Sequence, residues 1–335
     1  MKRVLLIAAA ILVVAVGSLF AAGQKEYPSR DITDIVVWSA GGGTDVLNRV
    51  IMAPMAKELG VNINVTNVTG GVAGSVGMQS AYSKPHDGYT IAGISESNTT
   101  AAVQGGWDKT FDVWYPFIVG GSPDIVSVNV DTPYKSLQEL IDAAKAKPGS
   151  VRAGASGSGS IHQLNLLALE QGTGASFNFI PYTGSAPANN AALTGEVSVV
   201  VTSVAEQAQL IRGGKLRPLA VLVPDSFAIG DVTVPSAFTT YPDLTKVLPL
   251  QQSIGFAVPA DVPDNVKKTL SAAFDKAMKS DTVQKWLKDN YYASSGLSGD
   301  AASKVFAHLQ SAFSWTLWDM KTAKIDPATL NIPKP

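Results

Sequence analysis

Three glycines, a hydroxyl and a carboxylate, Gly41-Gly42-Gly43-Thr44-Asp45, separate the apolar run Ile35 to Trp38 from the amphipathic run Val46 to Leu59. Glycines lack the Cβ atoms that would hold a guest away from the main chain. The free amides of a first helical turn, at the positive end of its dipole, then suit an anion. The chemistry offered is capture of a small anion by backbone, with Ala40, Gly41, Gly42, Gly43, Thr44 and Asp45 as candidates. Loops of similar character recur at Gly154-Ala155-Ser156-Gly157-Ser158-Gly159-Ser160 and at Tyr182-Thr183-Gly184-Ser185-Ala186. His162 follows the serine-glycine loop at an expected helix start, where it either caps and packs or bonds a ligand or a neighbouring loop. Asp45 in a first turn is favoured by the dipole alone, by roughly 0.3–1 kcal/mol, so a ligand contact is one of two readings.

Enzyme motifs are near misses. Gly154 to Ser158 lacks the last glycine of a nucleophile elbow. Gly157-Ser158-Gly159-Ser160-Ile161-His162 resembles a dinucleotide fingerprint with His for the third glycine. Gly213-Gly214-Lys215-Leu216 has no Ser or Thr after its lysine, so it is not a P-loop. The histidines are His86, His162 and His308, too scattered for a local zinc motif, and there are no cysteines. No metal, cofactor or catalytic group is expected.

The elements that must position the loops alternate. Strands are expected at Ile35–Trp38, Ile63–Val68, Tyr89–Ile94, Ile125–Val130, Val151–Ala153, Phe177–Ile180, Val197–Val201, Leu219–Val223 and Ile254–Val258. Several are continuously apolar, as for strands covered on both faces, and the alternation predicts mainly parallel α/β sheets. Ser136-Leu137-Gln138-Glu139 reads as a capping box, and Pro148-Gly149 ends its helix. The C-terminal part turns helical: Pro263 opens one helix, Ser280 caps another, and a third holds Val305, Leu309, Ala312 and Phe313. Asp326 to Pro335 reads as a surface tail.

Lys2-Arg3, the apolar Val4 to Val16, and the small residues Ala21-Ala22-Gly23 have the layout of a cleavable secretory signal peptide, residues 1–23. Gln24 stands where a lipobox would place its acylated Cys, so a periplasmic protein without a lipid anchor is expected. Without that segment 24 basic residues face 27 acidic ones, a net charge of about −3. No block of like charge supports nucleic-acid or membrane-surface binding. With 16% charged and 46% hydrophobic residues the chain is globular, and its length suggests two domains.

On these residues the chain resembles the periplasmic receptors of tripartite tricarboxylate transporters, the TctC-like or Bug receptors. The resemblance runs from Tyr27-Pro28-Ser29-Arg30 through Ala40 to Asp45, Asn67 with Gly70, Gly71, Gly74 and Gly77, and Pro85-His86-Asp87-Gly88-Tyr89-Thr90. It continues through Ser136-Leu137, the Gly157 to Ser160 loop with His162, Ile180-Pro181-Tyr182, Gly184, and Gly213-Gly214-Lys215-Leu216-Arg217. It implies an α/β, two-lobed type II periplasmic-binding-protein fold with the ligand in a cleft between the lobes. Lobe 1 would be 24–123 plus 255–335 and lobe 2 would be 124–254, hinged near Asp124–Val130 and Ser253–Val258.

The resemblance further implies a ligand carboxylate held by Ala40 to Asp45 on one lobe. Ser156, Gly157, Ser158, Gly159, Ser160, His162, Tyr182, Thr183, Gly184 and Ser185 would hold it from the other. Ser95, Glu96 and Ser97 are weaker candidates by position. Trp38 stands where the family usually has proline, Thr183 replaces a common lysine, and Thr202 a frequent aspartate. The two threonines suggest hydroxyl-based selection of the ligand's distal end. The expected ligand is a small organic anion, a mono- to tricarboxylate and foremost a dicarboxylate; the expected partners are membrane transporter subunits, served by a monomer. A sensor module for a two-component kinase and a periplasmic hydrolase are the alternatives.

Overall fold

The structure, a computed structural model, describes residues 26–335 apart from 249 and 251. The export segment at 1–23 lies outside the described residues. Four strands open the chain: β1 (Ile32–Val36), β2 (Ile63–Asn67), β3 (Thr90–Ser95) and β4 (Trp114–Gly121). Five more, β5 (Asp124–Asn129), β6 (Arg152–Ser156), β7 (Asn178–Tyr182), β8 (Val199–Ser203) and β9 (Leu216–Val221), form a separate sheet in the order β7-β6-β8-β5-β9. A hairpin of β10 (Phe227–Ile229) and β11 (Val232–Val234) follows. The chain then returns through β12 (Ile254–Pro259) and β13 (Ala293–Ser298) to complete the first sheet, ordered β13-β4-β12-β3-β1-β2.

Both sheets are mixed, which corrects the expectation of mainly parallel pairing. β1 pairs parallel with β2 and β3, and β6 with β7 and β8. β12 is antiparallel to β3 and β4, β13 to β4, and β5 to β8 and β9. A parallel partner needs a crossover helix, which the βα segments supply. The strands that carry the chain between sheets enter from the opposite end, so they pair antiparallel. β4 lacks period-2 patterning, and β13 (Ala293-Ser294-Ser295-Gly296-Leu297-Ser298) is too polar to read as a strand.

Each sheet is covered on both faces, which is why β5 and β8 are buried along their whole length, the polar Asp124, Ser127, Asn129, Thr202 and Ser203 included. The helices Gly43–Leu59 and Asp264–Met278 pack through Leu47, Ile51, Met55, Leu270 and Phe274 on one face of the first sheet. Gly299–Asp319 covers the other face through Ala302 and Phe306. The helix Leu137–Ala146 is capped as expected, Ser136 Oγ accepting from the Glu139 amide at 3.2 Å. The Glu139 carboxylate, however, takes the Lys135 amide.

Residues 326–335 are not a loose tail. Ile332 is buried among Val103, Phe313 and Leu317 of the first unit and Ile161 and Leu164 of the second. The Trp315 indole N–H donates to the Pro333 carbonyl at 2.9 Å.

Candidate functional site

The ends of β1, β3, β6 and β8, and the helices that follow them, converge on a narrow cleft between the two sheets. The cleft is partly open to solvent. From the first unit Trp38, Gly42, Gly43, Thr44, Ser95, Glu96 and Ser97 line it; from the second, Ser156, His162, Gly184, Ser185 and Glu206. Gln252, on the returning crossing segment, closes one side.

The two units touch directly around this cleft. The Ser39 amide donates to the Thr183 carbonyl at 3.2 Å and the Ala73 amide to the Ser158 carbonyl at 2.9 Å. Thr100 Oγ1 donates to the Gly159 carbonyl at 2.6 Å, and the Ile161 amide to Ser97 Oγ at 3.0 Å. Such approach requires glycine at two points. A Cβ on Gly159, whose φ is +81°, would lie 2.6 Å from Thr100 Oγ1, and one on Gly184 would overlap Ser39 Oγ.

Helix termini point at the cleft from both units. Helix Gly43–Leu59 starts with Gly42 as N-cap and no side chain of its own loop to cap it. Its cap comes from across the cleft: the Gly43 amide donates to Glu206 Oε1 at 2.7 Å. Glu206 Oε2 meanwhile accepts from the Ser203 amide at 2.9 Å and Ser203 Oγ at 2.8 Å, closing the capping box of its own helix. Helix Ser185–Leu193 begins at Gly184 with no side-chain cap.

Behind the cleft lies a buried charge cluster. Asp124, the first residue of β5, accepts from His162 Nδ1 at 2.8 Å and from Asn165 Nδ2 at 2.7 Å. His162 Nε2 faces Ser185 Oγ at 3.2 Å and Glu206 Oε2 at 3.6 Å. Burial works against charging the ring, but Asp124 and then Glu206 and Glu96 outweigh it and hold the pKa at about 9. His162 is therefore an imidazolium at neutral pH. Glu96 takes the Ser253 amide on Oε2 at 2.6 Å and the Ser97 hydroxyl on Oε1 at 2.8 Å. Burial raises its pKa above the usual carboxylate value.

Not every expected site residue meets at the cleft. Gly42, Gly43, Thr44, Ser95, Ser156, His162, Gly184 and Ser185 line it. Ala40 and Gly41 lie on the exposed rim. Asp45 turns away, accepting from the Gly41 amide at 2.9 Å, Asn67 Nδ2 at 2.9 Å and Arg49 Nε at 3.0 Å, so it braces the glycine loop from behind. Burial opposes its ionisation, but these bonds, Arg49 first, bring its pKa below the usual value. Gly157, Ser158, Gly159 and Ser160 form the contact between units, with the Ser160 hydroxyl folded back on the Ser156 carbonyl at 2.8 Å.

Tyr182 points outward to Glu196 at 2.8 Å, and Thr183 is exposed. Thr202 is fully buried behind the cleft, bonded to Asn189 Oδ1 and Gln207 Nε2, each at 3.0 Å. Selection of a ligand by the Thr183 and Thr202 hydroxyls is thus corrected: neither lines the cleft. Glu206 and Gln252 were not foreseen. Ser203-Val204-Ala205-Glu206 carries a capping-box signature, which marks Glu206 as a cap without showing that its other oxygen crosses to Gly43.

Among the described residues no group of side chains is arranged to hold a metal ion, and no helix is long and apolar enough to cross a membrane.

Residues 47–307 match the tripartite tricarboxylate transporter family receptor. The protein BugT of Bordetella pertussis is 32% identical over 223 residues, 64% of this chain and 67% of that one. A solved periplasmic transporter structure is 27% identical with a TM-score of 0.77, covering 88% of this chain and 97% of its own. A Rhodopseudomonas palustris protein with bound malate shares the fold at 21% identity and a TM-score of 0.77, covering 87% of this chain and 100% of its own.

Proposed function

Because the chain belongs to the tripartite tricarboxylate transporter receptor family, we propose that it closes two lobes around a small organic carboxylate and delivers it to membrane transporter subunits. Receptors of this family are periplasmic solute-binding proteins. The observation that carries the reading is a cleft between the lobes lined by serine hydroxyls and the Trp38 edge, into which the helix N-terminus at Ser185 opens uncapped opposite the Glu206-capped one at Gly43. Such a site binds anions by main-chain donors, and the related protein with malate supports a carboxylate as the guest. Hydrogen bonds to a charged group contribute roughly 1.5–3 kcal/mol each. Four or five leave about −8 kcal/mol, micromolar affinity, after ordering costs.

The lobes are 24–123 plus 255–335 and 124–254, and the chain works as a monomer exported by cleavage near Gly23, without lipid. N-terminal sequencing of periplasmic material tests the export reading; an intact Met1 on membrane-bound protein reverses it. The binding test is calorimetry of the mature protein against C3 to C6 carboxylates, with neutral sugars as controls. Micromolar heats with at least one carboxylate are expected. Binding of sugars alone overturns the reading.

A further inference from the structure

The charges around the cleft do not match a dianion. His162 and Asp124 neutralise each other as a buried pair. That one cation serves three carboxylates: Glu96 is buried, the Glu206 side chain is nearly so and lies 3.6 Å from His162 Nε2, both line the cleft, and among the described lining residues no Lys or Arg faces them. The Gly43 amide, one of the two helix-terminal donors, is already taken by Glu206. One helix N-terminus, at Gly184-Ser185, remains for a guest carboxylate, and the opposite wall is acidic.

Resting on the carboxylate-receptor reading, we propose that Glu206, with Glu96, makes this cleft selective for carboxylates that carry their own ammonium group, and that Glu206 is the residue that discriminates against dicarboxylates. A zwitterion places its carboxylate at the Ser185 terminus, beside the His162 side of the cleft. Its ammonium then faces the acidic wall and donates to carboxylate oxygens, which are acceptors only. A second carboxylate in that place meets Glu206 and Glu96, whose single nearby cation, His162, is already shared with Asp124, an arrangement that costs affinity in a desolvated cleft. Glu206 cannot swing clear at no cost, because its Oε2 holds the Ser203 amide and hydroxyl that start its own helix.

The test is calorimetry with pairs matched in length, β-alanine against succinate and 4-aminobutanoate against glutarate, joined by glycine and alanine. Wild-type protein is expected to favour an amino carboxylate over its matched dicarboxylate by at least about tenfold. Glu206→Gln keeps one acceptor for Ser203 while removing the charge, and should reduce that ratio about tenfold. Glu96→Gln, whose amide still bonds Ser97 and Ser253, should shift the ratio in the same direction. It serves as the second probe if thermal melts show Glu206→Gln to be unfolded.

A dicarboxylate that binds wild type as tightly as its amino partner overturns the proposal and leaves the carboxylate receptor intact. So does a ratio unmoved by both substitutions. Silence across the whole panel with folded protein overturns both readings.

Discussion

The buried imidazolium His162 makes the stability of this protein fall as pH rises. Its pKa is held at about 9, against 6.5 in an unfolded chain. A raised folded-state pKa contributes stability that is fully present below 6.5 and is lost as pH rises through 9. Between those limits the folded state holds close to one proton more than the unfolded, so the slope approaches about −1.4 kcal/mol per pH unit. Integrated from pH 6.5 to 9, about 2–3 kcal/mol disappears. The perturbation is His162→Gln, which strands Asp124 and removes the positive charge beside Glu206. Stranding a buried charge costs about 3–5 kcal/mol.

Urea denaturation of both proteins at pH 6.5, 7.5, 8.5 and 9.5 separates this from a loss of packing. The stability gap between wild type and variant should shrink by about 2–3 kcal/mol across the range. A gap that stays constant refutes a cationic His162. Asp34, present in both proteins, cancels in the difference.

Three further outcomes follow from the geometry. Gly42 has φ −80° and ψ 168°, a backbone conformation valine adopts, and its Cβ would stand 3.3 Å from the Ser39 carbonyl, a tight contact, 3.7 Å from the Ser185 amide and 3.9 Å from Glu206 Oε1. Gly42→Val should therefore lose about a hundredfold in affinity for the best carboxylate ligand with the melting transition kept; unchanged affinity refutes the cleft as the site. Asp34 is fully buried on β1, neither oxygen has a well-formed hydrogen bond although the Gly93 main chain lies near, and burial raises its pKa well above the usual value. Its stability contribution is lost as pH rises, so Asp34→Asn should add about 1–3 kcal/mol at pH 8 in urea titrations and little at pH 4; a loss at both pH values contradicts this. Ligand affinity by calorimetry should survive exhaustive EDTA treatment, and a loss restored by a divalent ion would contradict recognition by main chain and side chains alone.

The loops were legible because glycine and serine punctuation between an apolar run and a helical pattern has a physical cause, the close approach of backbone. The capping side chains of Ser136 and Ser280 were legible for the same local reason. What escaped was non-local. β13 owes its existence to pairing with β4, which its own Ser-Ser-Gly composition does not announce. Tyr182 and Thr202 sit in the expected segments but face away, because strand register decides which side chain meets the cleft. Glu206 acts through a residue 163 positions earlier, and no spacing rule spans that distance. Ile332 docks the tail in a cluster with Val103, Ile161 and Leu164, far off in sequence, which a proline-bearing end does not advertise.

The position of β12 has a consequence for the order in which the chain folds. It lies inside the first sheet, between β4 and β3, yet it is made only after the whole of the second sheet. A chain emerging from its N-terminus therefore holds β1, β2, β3 and β4 with an empty slot between β3 and β4. The inserted unit meanwhile has all five of its strands and can collapse first. The unit that begins the polypeptide is thus the last to be completed, and it closes by a long-range pairing whose loop entropy must be met before the contacts form. Until residue 259 has emerged, the open edges of β3 and β4 present unpaired main-chain groups to any other exposed strand.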